Sequence, residues 1–192
     1  MTGEVSLVSQ LNTRLNALRK LSFCGSFKTR LMIANGIFIS KLIYMIPLWG
    51  GCEKYLIKCL QVIQNSAART VTRRNIFTPV EELLRMCNWL SVSQLVVYHT
   101  LKLVFNTRQS GKPEYLADMF SDDFPYRTRF AEQGNIKVLG HGEPGLEMTR
   151  KSFKHRGMCD WNRLPTMIKT EEDPKKFKSL LLTWIRNNVP IN

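Results

Sequence analysis

Val5, Val8, Leu11, Leu15 and Leu18 recur at steps of three and four, the spacing of one face of an α-helix. The pattern stops at Phe23-Cys24-Gly25-Ser26, where Gly25 can take a left-handed cap conformation and Ser26 can accept a bond from the first free amides of a second helix. That second helix is predicted from Phe27 to Ile46, with Leu31, Ala34, Phe38, Leu42, Tyr44 and Met45 facing inward, and Pro47 with Gly50-Gly51 ending it. A third is predicted from Glu53 to Val71, carrying Leu56, Leu60, Ile63, Ala67 and Val71 on one side. Three helices with short connections predict an antiparallel bundle over residues 1–75.

The pattern changes at Asn75-Ile76-Phe77-Thr78-Pro79. Thr78 reads as an N-cap, Pro79 as a first-turn proline, and Glu81 and Glu82 as acidic groups at the positive end of a helix dipole. Asn88-Trp89-Leu90-Ser91 breaks that helix, and a more apolar one follows from Val92 to about Arg108, containing His99 as a packed or hydrogen-bonded histidine. Gly111-Lys112-Pro113 leads to a brief helix over 114–119. From Tyr126 to Trp161 glycines become frequent, and alternation in Ile136–Leu139 and Met148–Phe153 predicts short strands. Asp173 and Pro174 start a final helix, with Phe177, Leu180, Leu181, Trp184 and Ile185 as its buried stripe. The fold class expected is therefore mainly α. A helical bundle over 1–75 precedes a second region, 76–192, with helices over 79–109, an irregular or β-ribbon segment over 120–161 and a C-terminal helix over 174–188.

Charge is distributed unevenly over this plan. The 192 residues carry a net charge of +13, with eleven basic against two acidic side chains in residues 1–75 and seventeen against thirteen in the remainder. A surplus concentrated in the first bundle favours a phosphate backbone as partner over evenly spread solubility charge. Two clusters stand out. Gln64, Asn65, Arg69, Arg73 and Arg74 fall near the end of the third helix, either along a backbone-gripping edge or as a cap network with arginines offsetting the helix dipole. Lys28, Arg30 and Lys41 read as the wet face of the second helix. In the other cluster, Arg150, Lys151, Lys154, His155 and Arg156 surround Phe153. On an extended ribbon Lys151, Phe153 and His155 would share one face, leaving Arg150, Ser152, Lys154 and Arg156 on the other. Phe153 would then either anchor the ribbon in the core or stack on an unpaired base.

Three phrases in order carry a family resemblance: Ser40-Lys-Leu-Ile-Tyr44-Met-Ile-Pro47-Leu-Trp49, then Gln64-Asn65-Ser-Ala-Ala-Arg69, and Trp161-Asn162-Arg163-Leu164-Pro165. Their order and spacing, with an apolar-basic helix after the last, resemble the region following the polymerase palm in jockey-like non-LTR retrotransposon reverse transcriptases. The resemblance spans nearly the whole chain. It implies the thumb and what lies beyond it, a part that grips primer-template without performing the chemistry. The implied partner is RNA or an RNA-DNA hybrid, with the parent polymerase as a further partner. Divalent metal and deoxynucleotides would then belong to that polymerase, and no cofactor is expected in this chain.

Two-metal phosphoryl transfer needs carboxylates placed to hold two ions about 3.5–4 Å apart. The one adjacent aspartate pair, Asp122-Asp123, leads into Pro125 and reads as a solvated turn rather than the family's palm signature. No paired acid and base or activated nucleophile stands out, so the chain is expected not to be an enzyme and to take no small-molecule substrate. His155 and Cys159 form a zinc-like spacing but lack a second pair nearby. The five cysteines show no Cys-x-x-Cys and read as reduced core thiols. No stretch approaches the roughly twenty apolar residues of a membrane span, and no basic leader precedes an apolar core, so an intracellular protein, nuclear or cytoplasmic, is expected.

Overall fold

The computed structural model describes residues 2–21, 23, 25–120, 129–136 and 151–191. Every regular element among them is helical, and no strand occurs among the described residues. The chain divides into two compact units, Met1–Leu95 with Val189–Asn192, and Val96–Asn188. No helix among the described residues is long and apolar enough to cross a membrane.

In the first unit, α1 (Thr2–Leu21) buries Leu11, Leu15 and Leu18, as their spacing predicts. Gly25, at φ +86°, turns the chain, and the Ser26 hydroxyl accepts from the Thr29 amide to open α2 (Phe27–Ala34). The helix then widens through a π-helical segment, Asn35–Ile39, before resuming as α3 (Ser40–Ile43). The widened turn is held by side chains from elsewhere: Arg14 Nη1 donates to the Ile37 carbonyl at 2.7 Å, and Trp89 Nε1 donates to Asn35 Oδ1 at 2.8 Å.

The predicted continuation to Ile46 does not form. Helix α3 ends at Ile43, Met45 takes a left-handed conformation at φ +55°, and a separate turn, α4 (Ile46–Trp49), includes Pro47. Proline explains the earlier break, because its ring in a continuous helix would strike the carbonyl four residues back, which belongs to Ile43. Tyr44 and Met45 consequently lie exposed rather than inward, while Ile46 is fully buried. Trp49 Nε1 closes the break by donating to the Tyr44 carbonyl at 2.9 Å.

Helix α5 (Lys54–Thr72) packs against α1, α2 and α6 (Val80–Cys87), so residues 80–87 belong to the same compact unit as the bundle. Leu60, Ile63, Ala67 and Val71 are buried as predicted, together with Ala68. Pro79 serves as the cap of α6 rather than its first helical residue, and Thr78 makes no side-chain cap bond. Helix α7 (Val92–Ser110) begins in this unit and continues into the second.

The second unit contains the rest of α7, α8 (Glu114–Met119), α9 (Arg129–Glu132), α10 (Phe153–Asn162), α11 (Thr166–Lys169) and α12 (Pro174–Asn188). Its core stacks Phe105 on Phe177 at 3.9 Å between ring centroids, with Trp161 next at 6.2 Å. Gly157 lets α10 approach closely: a Cβ there would come within 3.1 Å of the Phe120 ring and 3.2 Å of Val104.

The expected β-ribbon is not seen. Residues 137–150, and with them most of the first predicted strand and half of the second, lie outside the described residues, but Phe153 opens a helix instead of ending a strand. Ser152 caps it by accepting from the His155 amide, and Gly157, Met158 and Trp161 supply a buried face at helical spacing. The alternation that suggested a strand covers too few residues to compete with that period. In the final helix Phe177, Leu181 and Ile185 are buried and Asp173 Oδ1 accepts from the Lys175 amide, as its capping role predicts.

Candidate nucleic-acid interface

The end of α5 is built around buried hydrogen bonds. Gln64 is fully buried; its Nε2 donates to the Leu90 carbonyl at 2.8 Å, and its Oε1 accepts from Gln61 Nε2 at 2.9 Å. Gln61 also donates to Asn65 Oδ1 at 2.8 Å and accepts from the Val92 amide at 2.8 Å. These carboxamides therefore satisfy the backbone where the chain turns from α6 into α7. Gln64, read from the sequence as part of either a backbone-gripping edge or a cap network, is a fastener inside the unit.

The arginines of the same phrase divide differently. Arg73 and Arg74 are exposed; Arg73 caps α5 in a left-handed conformation at φ +54°, its amide donating to the Arg69 carbonyl at 2.8 Å. Arg69 is half-buried, with Nη2 3.4 Å from the Ile76 carbonyl and a buried Nε that has no hydrogen-bond partner. Arg73 Nη2 reaches the Phe23 carbonyl at 3.5 Å. The sequence placed Arg30 on a wet face, but it is buried. Its Nε donates to the Val71 carbonyl at 2.9 Å and its Nη1 to the Gly25 carbonyl at 2.8 Å. One guanidinium thus satisfies a carbonyl at the C-terminus of α5 and ties Gly25 to it, a task suited to a planar five-donor fork.

The second predicted cluster is not assembled on a ribbon. Arg150 lies outside the described residues. Lys151, Lys154 and Arg156 are half-buried, and Arg156 Nε donates to the Lys151 carbonyl at 3.1 Å. In a helix successive side chains fan around the axis, so Lys154 and Arg156 are not aligned by alternation as predicted. Phe153 meets the buried Phe120 edge-on, with ring centroids 5.7 Å apart.

His155 and Cys159 do adjoin, with Sγ 3.7 Å from Nδ1, and no group of three metal-ligating side chains occurs among the described residues. Burial, reinforced by Asp160, pushes the Cys159 thiol up, which disfavours a thiolate nucleophile. Asp160 is itself raised by burial, although Arg163 and Arg156 oppose the shift. His99, half-buried, is pulled down to about 4 by burial and then by Lys102, as befits a packed neutral imidazole.

Trp161-Asn162 organises the second unit. Trp161 Nε1 donates to the Gly134 carbonyl at 2.9 Å, and Arg108 lies over the indole at 5.2 Å. Asn162 pairs with the backbone of Ile136 in both directions, accepting from its amide and donating to its carbonyl, each at 2.8 Å. Lys169 Nζ adds bonds to Asn135 Oδ1 at 2.6 Å and to the Asn162 carbonyl at 3.1 Å. An open cleft of about 580 Å³ beside Trp161 is bordered by Arg108 and Lys169, cations already engaged within the unit. Sequence spacing gave no sign of these tertiary bonds, because a carboxamide's partner is set by chain segments distant in sequence. No protein-family model, curated protein or solved structure matches the chain.

Proposed function

We propose that this chain is a non-catalytic nucleic-acid-binding segment, resembling the thumb and post-thumb of a non-LTR reverse transcriptase, that holds the phosphate backbone of RNA or an RNA-DNA hybrid. The observation that carries the reading is the basic end of α5. Arg73 and Arg74 are exposed and Arg69 lies one turn before them, within a 75-residue stretch holding eleven basic and two acidic side chains. Cations in this setting position a duplex without reading its sequence. Of the second cluster, Lys151, Lys154 and Arg156 contribute as further phosphate contacts at the start of α10. Metal and deoxynucleotides belong to a polymerase acting in trans.

Binding of labelled hybrid duplex and single-stranded RNA across a salt series tests this. The expected result is log affinity falling linearly with log salt, with a slope of about 0.7–0.9 per neutralised phosphate. Joint replacement of Arg69, Arg73 and Arg74 by alanine should lower both affinity and slope. Absence of salt-steep binding would overturn the reading.

A second reading, a domesticated helical protein-interaction module, draws on exposed apolar residues of the first unit. Tyr55 and Val62, 73% and 63% exposed, lie two turns apart on α5, and Leu48 is 61% exposed. A partner held by such a surface would bind with little salt dependence.

A further inference from the structure

The two most exposed large apolar side chains among the described residues are Phe77, at 87%, and Phe23, at 85%. Single exposed apolar residues need no explanation. These two, however, sit on separate turns fastened to the same helix end. Arg30 ties Gly25 to the carbonyl of Val71, Arg73 reaches the Phe23 carbonyl, and Arg69 reaches the carbonyl of Ile76, the residue before Phe77. Two turns that carry exposed phenyl rings are therefore fastened to the C-terminal end of α5, where Arg69, Arg73 and Arg74 lie. Arg19 and Lys20, in the last turn of α1, lead into the Phe23 turn. Of the two acidic residues in the first 75, Glu53 caps the opposite end of α5 and Glu4 lies in the first turn of α1. The nearest carboxylates in sequence beyond Phe77 are Glu81 and Glu82, and the local balance stays positive.

We propose that this helix end is a stacking site for unpaired bases, with Phe23 and Phe77 as platforms and Arg69, Arg73 and Arg74 on the flanking phosphates. The inference rests on the nucleic-acid reading above and adds to it a site specific to single strands. An intact duplex presents phosphates and groove edges, which arginines can use, whereas a phenyl ring reaches a base face there only at an end or by prising a base step apart. An unpaired base presents a π-face. Rings interleaved with cations match a single strand in both respects, because stacking accepts any base while the cations track the backbone. The ring for which the sequence suggested this role, Phe153, is instead engaged with Phe120.

The test is a Phe23→Ala, Phe77→Ala double variant of the full chain, titrated against labelled oligouridylate RNA and a blunt RNA-DNA hybrid over a salt series. Single-strand affinity should fall on the order of tenfold or more with an unchanged salt slope, while hybrid binding stays as in the parent chain. A 2-aminopurine placed in the single strand should be quenched by the parent chain and not by the variant. Unchanged single-strand binding overturns the stacking site and leaves the backbone reading standing. A parent chain that binds neither probe in a salt-steep way overturns both, and would assign the rings to a protein partner. The variant's unfolding midpoint should equal the parent's; a lower one overturns the proposal by showing that the rings belong to the core.

Discussion

Replacing Gln64 by glutamate distinguishes an internal fastener from a surface contact through pH alone. In the folded chain Nε2 donates to the Leu90 carbonyl at 2.8 Å while Oε1 accepts from Gln61 at 2.9 Å, and the residue is fully buried. A protonated glutamic acid has the same shape and reproduces both bonds. A carboxylate cannot, since one oxygen would face the Leu90 carbonyl with no proton between them. The folded variant therefore holds its proton, and its carboxyl pKa rises above the ordinary value of about 4.3. A group whose pKa is raised by folding contributes its stability in full below the unfolded pKa and loses it as pH rises. The difference between parent and variant should be near zero around pH 4 and grow by about 1.4 kcal/mol per pH unit above that, to at most about 4 kcal/mol at pH 7. That is a large share of the roughly 5–15 kcal/mol of a typical domain. Urea unfolding of both chains at matched pH values, followed by far-UV circular dichroism, measures it. Superimposable curves at pH 7 would refute the assigned bonds. A loss equal at every pH would point to packing and refute the proton argument.

Asn162→Ala leaves the amide and carbonyl of fully buried Ile136 unpaired, for an expected loss of about 2–4 kcal/mol in urea unfolding; Asn162→Asp keeps the acceptor but sets a carboxylate oxygen against the Ile136 carbonyl, so it should recover stability only at acid pH, where the carboxyl holds a proton. Arg30→Met should destabilise by about 2–4 kcal/mol and speed amide exchange around residues 71–74, and Arg30→Lys should fail to rescue it, because one ammonium does not span two carbonyls. His99, lowered to about 4 in the fold, contributes stability that is present above an unfolded pKa of about 6.5 and is lost as pH falls toward 4. Discounted for partial exposure, that loss is about 1–2 kcal/mol, and His99→Gln should flatten the parent's acid limb in the same titration.

Apolar spacing made most helices legible, because long amphipathic segments such as those carrying Leu11, Leu15 and Leu18 or Phe177, Leu181 and Ile185 bury the face that their period defines. What spacing missed was backbone accounting. The break at Ile43 follows from Pro47 acting four residues upstream, and Tyr44 and Met45 turned outward as a result. The three phrases that carry the family resemblance are legible for a related reason. Trp49, Gln64, Trp161 and Asn162 each satisfy main-chain groups where the chain breaks or turns, which records architecture and says little about ligands. The candidate site was half legible: Arg69, Arg73 and Arg74 are at the helix end expected of them, whereas the exposure of Phe23 and Phe77 depends on which turns meet there.

The π-helical turn at Asn35–Ile39 has an evolutionary corollary. Such a turn accommodates one residue more than an α-helical turn, marked by the Ser40 amide reaching back five residues to the Asn35 carbonyl. Deleting Gly36, around which a Cβ would meet nothing within 4 Å, would restore an ordinary helix without rotating Ala34 on one side or Leu42 on the other away from the core. Length can thus drift by one residue within 35–39 while the flanking faces keep their phase, and diverged copies of this sequence should carry their single-residue gaps there.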